Sequence, residues 1–142
     1  RQAEADDFTI IVASSDKDFF QLINSNICML NPNDKTDTLW GDSQVEEKTG
    51  VLPNQIVDWL SLMGDAVDGI PGVQGVGPKT AAKLLSQHGT VEVIYEKLDS
   101  IVSEKLAQEL KKKHGSFNQN PKLNRLENIG DKNGDFFFFA KN

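Results

Sequence analysis

Residues 72–83 read Gly-Val-Gln-Gly-Val-Gly-Pro-Lys-Thr-Ala-Ala-Lys, and this glycine-rich segment is the most informative stretch of the chain. Gly75 and Gly77 let the backbone come close to a ligand, and Pro78 is favoured in the first turn of a helix. The free amides at the start of such a helix attract phosphate, and Lys79 and Lys83 would lie one turn apart on it. The pattern therefore predicts binding to a phosphate backbone, without contacts to base edges and so without regard to sequence.

Two other interpretations of residues 72–83 are a plain glycine-rich loop and a nucleotide-binding loop. The spacing matches neither the Gly-x-x-x-x-Gly-Lys-Ser/Thr loop nor a complete dinucleotide-binding pattern after a strand, so both interpretations fit poorly. We assign backbone-phosphate binding to the following positions: Gly72, Gln74, Gly75, Gly77, Lys79, Thr80 and Lys83.

Two acids, Asp65 and Asp68, precede the glycine-rich segment and follow the end of a predicted helix. Their spacing puts both carboxylates on one side of a single turn, near a helix carboxyl terminus where the dipole disfavours anions. Mg²⁺ prefers carboxylate oxygens, and two ions roughly 4 Å apart can activate a water and stabilise the leaving oxygen in phosphodiester hydrolysis. The pair therefore indicates a cation site, and the alternative is a polar Asp/Gly turn.

A second acidic pair, Asp16 and Asp18, follows the apolar run Phe8–Ala13, which predicts a buried and parallel strand. Ligands gather beyond the carboxyl ends of strands in open α/β sheets, and carboxylates at i and i+2 of an extended chain point to the same side. The two acids could thus share one cation. Taken alone, the motif favours the alternative, in which Ser15 and Asp16 simply cap the following helix.

The remaining pattern alternates strand, helix and strand and then becomes helical. Residues 18–23 predict a helix and residues 27–30 a second strand. One helix begins at Pro53 and ends at Gly64, another begins at Pro78 and ends at Gly89, and Thr90 caps a third. A fourth helix is expected over residues 103–113. Residues 114–142, which include four consecutive phenylalanines at 136–139, form a tail of uncertain structure.

The composition is that of an ordinary globular protein, with 142 residues of which 38% are apolar and 25% charged. No apolar run approaches the roughly 20 residues that a bilayer requires, which predicts no membrane partner and a cytoplasmic, nucleoid-associated location. The net charge is −6, yet residues 1–75 hold 4 basic and 13 acidic side chains, whereas residues 76–142 hold 11 and 8. An acidic half joined to a basic half is the distribution expected of a metal site beside a nucleic-acid-binding surface.

Three ordered blocks, at residues 14–22, 62–73 and 75–81, closely resemble the 5′→3′ exonuclease domain of bacterial DNA polymerase I, a member of the flap endonuclease superfamily. The likeness covers about residues 1–113. The resemblance implies an α/β fold in which residues 1–48 form the carboxyl-terminal part of a PIN-like core, a remnant of its parallel sheet. An α-helical helix-three-turn-helix subdomain would follow in residues 49–113, and the tail would occupy residues 114–142.

The resemblance also implies roles for individual residues. Asp16, Asp18, Asp65 and Asp68 match family carboxylates that hold two divalent ions, Mg²⁺ or Mn²⁺. The glycine-rich segment matches the element that grips duplex DNA behind the scissile phosphate, often with a bound K⁺, and the matching positions are Gly75, Gly77, Lys79 and Thr80.

The activity implied by this resemblance is a structure-selective 5′ nuclease, a 5′→3′ exonuclease or flap endonuclease that acts in primer removal and repair by a two-metal-ion mechanism. Its partners would be duplex DNA with a 5′ flap or 5′ end and, in polymerase I, a fused polymerase domain. Residues 4–7 resemble the family's acidic tetrad, but only eight residues separate Asp7 from Asp16, and we give them no role.

With only four carboxylates, two close cations would be under-ligated. We therefore expect these 142 residues to bind DNA weakly and to hydrolyse it poorly or not at all. The rival hypothesis is a non-catalytic, sequence-independent DNA-binding module of the helix-hairpin-helix type.

Overall fold

The computed structural model describes residues 8–66, 69–98, 104–117 and 137–141, and they fall into two compact units. The described parts of the first unit are residues 8–48, 52–54 and 137–141, and those of the second are residues 49–51, 55–66, 69–98 and 104–117. The elements in chain order are β1 (Phe8–Ala13), a 3₁₀ helix (Lys17–Leu22), β2 (Ile27–Leu30), β3 (Leu39–Trp40), α1 (Asp42–Thr49), a 3₁₀ turn (Pro53–Gln55), α2 (Ile56–Met63), β4 (Gly64–Asp65), β5 (Ile70–Pro71), α3 (Pro78–His88), α4 (Val91–Glu96), α5 (Glu104–Phe117) and β6 (Phe137–Lys141).

The first unit contains a four-stranded sheet of order β3-β2-β1-β6. The predicted strands at Phe8–Ala13 and Ile27–Leu30 are confirmed, and they pair in parallel with Ile10 opposite Ile27. The outer strands β3 and β6 are both antiparallel to their neighbours, so the sheet is mixed and only its central pair is parallel. The α/β fold class predicted from the sequence is confirmed.

The core of the first unit lies on one side of the central strand pair. Ile10 and Val12 of β1 are buried, whereas the alternating Ile11 and Ala13 are only partly covered, as expected from the two-residue period of a strand. A separate aromatic cluster stands beside this core. The Phe20 ring stacks on Trp40 with centroids 5.4 Å apart, and the Lys48 ammonium lies 4.5 Å from the Trp40 ring centroid. Ring stacking and a cation–π contact therefore hold these three side chains together.

Strand β6 comes from the tail that the sequence left without an assigned structure. Residues 137–141 pair antiparallel with β1, with Phe137 opposite Val12 and Lys141 opposite Phe8. A β-branched and aromatic run suits a strand, and pairing satisfies the backbone groups along this edge of β1.

The second unit is helical, and its helix ends agree closely with the sequence pattern. The helix at Pro53 begins with a 3₁₀ turn, continues as α2 and ends at Gly64, whose φ is +81°. Helix α3 runs from Pro78 to His88 with Gly89 as its C-cap. The Thr90 hydroxyl accepts a hydrogen bond of 3.4 Å from the Val93 amide, which confirms it as the N-cap of α4. The fourth helix, α5, extends to Phe117 and so beyond the predicted residue 113.

Buried side chains from all four of these helices form the core of the second unit. Helix α2 contributes residues on most of its circumference, whereas α3 buries one face only, as an amphipathic helix on a core does. The most buried members are Ile56, Leu62, Ala81, Leu85, Val91, Ile94 and Leu110. The short elements α1, β3, β4 and β5 were not predicted, and the domain boundaries at 48/49 and 113/114 stay a prediction. None of the helices in the described ranges combines the length and the apolar character that a membrane span needs.

Candidate nucleic-acid-binding segment and acidic positions

The glycine-rich segment begins as a turn that is anchored from below. Val73 and Val76 are 4% and 5% exposed, and the Val76 amide donates a 3.0 Å hydrogen bond to the Val73 carbonyl. Gly75 lies between them with a φ of +81°, a left-handed conformation that favours glycine. The two valines therefore fix the turn to the core, as the sequence predicted, while the residues between them remain exposed.

Helix α3 continues from this turn and presents its first turn to solvent. Gly77 is the N-cap, and no acidic side chain occupies the first turn to compete for its amides. Lys79 and Lys83 are exposed, and Thr80 is half-buried. The opposite face of the helix is covered, with Ala81, Leu84 and Leu85 buried. The structure thus places the lysines away from the apolar face, as predicted.

Gly75 and Gly77 have open space around them. A Cβ built on either residue would meet no atom of the described residues within 4 Å. Gly77 also has an ordinary φ of −94°, so neither packing nor backbone conformation within the chain requires glycine there. The absence of a side chain at Gly77 leaves room for a ligand to approach the backbone closely. All the positions assigned to phosphate binding lie on this one turn and helix, and Gly72 differs from the others in packing against Met63.

Asp65 lies in a short hairpin rather than on a helical turn. Gly64 and Asp65 form β4, which pairs antiparallel with Ile70 and Pro71. A turn closes the hairpin, with the Gly69 amide donating to the Ala66 carbonyl at 3.4 Å. The predicted end of this helix at Gly64 is confirmed, because the left-handed Gly64 ends α2 before Asp65.

The Asp65 side chain is only 5% exposed. Burying a carboxylate is costly unless it is hydrogen-bonded or paired with a cation, so this position has a strong requirement for partners. Asp68, the second acid of the predicted pair, lies outside the described residues.

Asp16 and Asp18 stand beyond the carboxyl end of β1, as predicted, but their geometry differs from the expected extended chain. Asp16 is the N-cap of the 3₁₀ helix, and its Oδ1 accepts a 3.0 Å hydrogen bond from the Asp18 amide. The Ser14 hydroxyl accepts from the Asp16 amide at 3.1 Å. Because Asp18 lies inside the 3₁₀ helix, the two side chains do not follow the strand alternation that the prediction assumed. The capping interpretation describes this segment.

No three His, Cys, Asp or Glu side chains are grouped closely enough to hold an ion anywhere in the described ranges. Asp16 and Asp18 belong to the first unit, and Asp65 belongs to the second. The described residues supply the carboxylate chemistry that Mg²⁺ prefers without completing a set of ligands. The assignment of the four aspartates as metal ligands stays a prediction.

Helix α2 and its N-cap residue Gln55 make hydrogen bonds to the two ends of α3 that the sequence did not reveal. The Trp59 indole N–H donates to the Pro78 carbonyl at 3.0 Å, in the first turn of α3. The Gln55 side-chain amide donates to the Gly89 carbonyl at 2.8 Å, at the other end of α3. The sequence predicted Trp59 only as one member of an apolar stripe, and an indole N–H inside such a stripe is the signal that points to a polar partner.

A model of the family described as 5′-3′ exonuclease, C-terminal SAM fold, matches residues 51–132, which is more than half of the chain. The chain belongs to this 5′-3′ exonuclease family. The matched range includes both the hairpin that carries Asp65 and the whole glycine-rich segment. The family resemblance inferred from the three sequence blocks is thereby confirmed.

Individual relatives agree with this assignment. The DNA polymerase I of Deinococcus radiodurans is 47% identical over 96 residues, which cover 68% of this chain and 10% of that protein. A 5′-3′ exonuclease of Aquifex aeolicus is 44% identical over 87 residues, which cover 61% of this chain and 29% of that protein. The chain therefore spans less than a third of the length of these relatives.

Solved structures of a phage enzyme share the fold of this exonuclease-family chain. A zinc-bound T5 5′-exonuclease aligns with a TM-score of 0.68 and 23% identity, over 77% of this chain and 40% of that chain. A bacteriophage T5 flap endonuclease solved with DNA and metal ions aligns with a TM-score of 0.67 and 22% identity, over 77% and 40% of the two chains. At this identity the likeness supports the fold.

Proposed function

We propose that the chain is the phosphate-gripping part of a metal-dependent, structure-selective 5′ nuclease, and that residues 72–83 bind duplex DNA through its backbone. The observation that carries the proposal is the exposed start of α3, where Gly75 and Gly77 are open to solvent. Lys79 and Lys83 stand on the exposed side of the same helix, which is fixed to the core by its buried face. Open amides, a helix dipole and two cations on one rigid surface suit phosphate.

The relatives support the nuclease activity and its partners. They include a protein named 5′-3′ exonuclease and several named DNA polymerase I, and the T5 flap endonuclease was solved as a pseudo-enzyme-product complex with DNA and metal ions. By extension, we propose duplex DNA with a 5′ flap or 5′ end as substrate. Primer removal and repair are the proposed setting, with a polymerase domain as the proposed fused partner.

Asp16, Asp18, Asp65 and Asp68 are the proposed ligands of two divalent ions, Mg²⁺ or Mn²⁺. Bound ions of this kind activate water and stabilise the leaving oxygen of a phosphodiester. Among the chain's own contributions, the Asp18 amide holds one oxygen of Asp16 at 3.0 Å and so orients that carboxylate. Lys79 and Lys83 hold the duplex by its phosphates, and a K⁺ ion at the glycine-rich segment is a further proposed ligand.

Removing the two lysines tests the binding surface. We expect the double substitution Lys79→Ala and Lys83→Ala to weaken duplex binding and to reduce the magnitude of the slope of log K against log salt by about 1 to 2. Binding releases counterions from each phosphate that a lysine contacts, so fewer are released when two contacts are lost. Fluorescence anisotropy with a labelled 5′-flap duplex at several salt concentrations measures both quantities.

The matched control removes two exposed lysines elsewhere, Lys35 and Lys105. It changes the net charge by the same amount, so it lowers affinity slightly by long-range electrostatics and leaves the salt slope close to that of the unaltered chain. Equal slopes for the two double variants would refute the role of Lys79 and Lys83.

A cleavage assay tests the proposed metal ligands. It measures hydrolysis of a 5′-flap duplex in the presence of Mg²⁺ by the full-length protein that contains this chain. We expect Asp65→Ala and Asp68→Ala each to lower the cleavage rate by more than about 100-fold, since even the loss of a residue that merely supports a metal ligand costs 10–100-fold. The buried Asp58 of α2, which is 7% exposed, provides the control. Asp58→Ala should lower stability and keep the metal dependence.

Full activity in both the Asp65 and Asp68 variants would rule out the metal-site assignment. Cleavage absent from the unaltered protein, together with intact duplex binding, would favour the non-catalytic binding module. We further expect the 142 residues alone to cleave poorly, because four carboxylates under-ligate two ions.

A further inference from the structure

Two glycines bring distant parts of the second unit into direct backbone contact. Gly64 ends α2, and Gly72 lies beside it after the hairpin has returned, since Gly64 pairs with Pro71. A Cβ built on Gly72 would overlap the Met63 carbonyl group and lie 2.6 Å from the Gly64 nitrogen. A Cβ built on Gly64 would overlap the Gly72 nitrogen and lie 2.8 Å from the Gly72 Cα.

These overlaps are with backbone atoms, so no change of side-chain rotamer can relieve them. Gly64 also has a φ of +81°, whereas Gly72 has no such requirement and is needed for space alone. The next residue continues the contact, because the Val73 amide donates a 2.7 Å hydrogen bond to the Leu62 carbonyl. Any side chain at Gly72 must therefore move the start of the glycine-rich segment away from the end of α2.

The contact joins two features that the proposed function treats separately. The hairpin between Gly64 and Gly72 carries Asp65, and the glycine-rich segment begins at Gly72 and leads into α3. Val73 and Val76 then fix the turn to the core, being 4% and 5% exposed. Gly72 is thus held by its backbone contact with the end of α2, and Val73 and Val76 are held by burial. Every residue that joins the hairpin to the turn is therefore fixed to the second unit.

We infer that Gly64 and Gly72 are positioning residues, whose backbone contact joins β4, which carries Asp65, and the phosphate-binding turn into one rigid element. Neither glycine acts on DNA through this contact. It fixes where the backbone N–H groups of Gly75, Gly77 and Lys79 stand relative to Asp65, and so which phosphates of a bound duplex they can reach. The inference rests on the proposed DNA binding of residues 72–83 and adds a second reason for glycine at position 72, namely the space that the backbone contact requires.

The salt dependence of duplex binding tests the inference. At a temperature where circular dichroism shows a fully folded protein, we expect Gly72→Ala to lower duplex affinity at least about tenfold and the salt slope by about 1, because a displaced turn reaches fewer phosphates. A purely structural role would reduce the fraction of active protein and leave the slope of the remainder unchanged. A folded Gly72→Ala variant with unaltered affinity and slope would overturn the inference.

Two control variants separate positioning from general destabilisation. Gly89→Ala places a side chain at a φ of +85° without an overlap among the described residues, so it measures the effect of backbone strain alone. Gly41→Ala makes the same substitution as Gly72→Ala at another glycine without a positive φ. Among the described atoms its Cβ would meet the flexible Gln44 side chain, at 3.4 Å from Oε1, and no backbone atom. Both controls should keep the salt slope even where the melting temperature falls, and a control slope reduced as much as that of Gly72→Ala would also overturn the inference.

If the glycine variants do not fold, amide hydrogen exchange of the unaltered chain tests whether the two regions open as one unit. The Val73 amide bonds to Leu62, and the Val76 amide bonds to Val73 at 3.0 Å. One rigid element opens as a unit, so their protection factors should agree within about tenfold. A larger difference in either direction would show separate opening and overturn the inference. Failure of the unaltered chain to bind duplex would refute the proposed function, and the exchange result would still decide the rigid contact.

Discussion

At the scale of single residues, four glycines of similar appearance in the sequence have two different physical roles. A side chain at Gly64 or Gly72 would overlap backbone atoms, whereas one at Gly75 or Gly77 would meet none of the described atoms within 4 Å. The first two are required by the fold for space, and the last two leave room for a ligand, while the φ of +81° at Gly75 also favours glycine. Substitution of Gly77 should therefore lower binding with little change in stability, whereas substitution at the other three positions should lower stability as well.

Tyr95 is the only tyrosine of the chain, and burial raises its pKa from 10.0 to about 12. Because the folded state keeps the proton longer than the unfolded state, this contribution to stability is complete below pH 10 and is lost as the pH rises towards 12. Absorbance at 295 nm should titrate with a midpoint near pH 12 in the folded protein.

The variant Tyr95→Phe provides the comparison. Between pH 10 and pH 12 its free energy of unfolding should fall less steeply than that of the unaltered chain, since the remaining decrease comes from other groups such as lysines. Denaturant unfolding at several pH values measures the difference. An absorbance midpoint near pH 10 would show that Tyr95 ionises as freely in the folded protein as in water.

At the scale of elements, α2 and its N-cap residue Gln55 contact both ends of α3 and the start of α4. The Trp59 indole N–H donates to the Pro78 carbonyl at the first turn of α3, and the Gln55 side-chain amide donates to the Gly89 carbonyl at its end. The Asp58 Oδ2 accepts a 3.1 Å hydrogen bond from the Val91 amide at the start of α4. These side chains of α2 and its N-cap thus set the position of the helix that carries Lys79.

The two ends of α3 should respond differently to substitution. Trp59→Phe removes one hydrogen bond, and Gln55→Ala removes a short one to the Gly89 carbonyl and a longer one to the Leu85 carbonyl. Each substitution should lower the free energy of unfolding by about 1 kcal/mol. Only Trp59→Phe acts at the end with the proposed phosphate contacts, so it alone should weaken duplex binding, by a few-fold. Urea unfolding and anisotropy measure the two effects, and equal loss of binding in both variants would contradict this division.

At the scale of the whole molecule, charge is distributed unevenly along the chain. Residues 1–75 carry 4 basic and 13 acidic side chains, and residues 76–142 carry 11 and 8. An excess of negative charge opposes approach of DNA unless cations neutralise it. Duplex binding should therefore be weak without divalent ions and should improve when they are added.

The source of that improvement can be tested with asparagine substitutions. Asp16→Asn with Asp18→Asn keeps an acceptor for the Asp18 amide, and Asp34→Asn with Asp37→Asn makes the same change of charge elsewhere in the first unit. Both pairs should raise metal-free affinity by a few-fold through reduced repulsion. Only the first pair should lose the gain produced by Mg²⁺. An undiminished gain in that pair would exclude Asp16 and Asp18 as ligands.

Much of the fold follows from local sequence. The strands at Phe8–Ala13 and Ile27–Leu30, the start of α3 at Pro78 and the N-cap at Thr90 all depend on residues next to one another. The same is true of the glycine-rich segment, whose proposed contacts lie within one continuous stretch. Side-chain periodicity, the fixed φ of proline and the freedom of glycine act over a few residues, so the sequence by itself determined these features.

Tertiary structure decided the features that join residues far apart. Pairing of β6 with β1 brings residues 137–141 against residues 8–12, and the Trp59 indole meets Pro78. The contact between Gly64 and Gly72 likewise needs the hairpin to return to the end of α2. No local pattern encodes these contacts, because each is selected by the burial and hydrogen bonding of the packed whole. A glycine required for space therefore looks the same in sequence as one left open for phosphate.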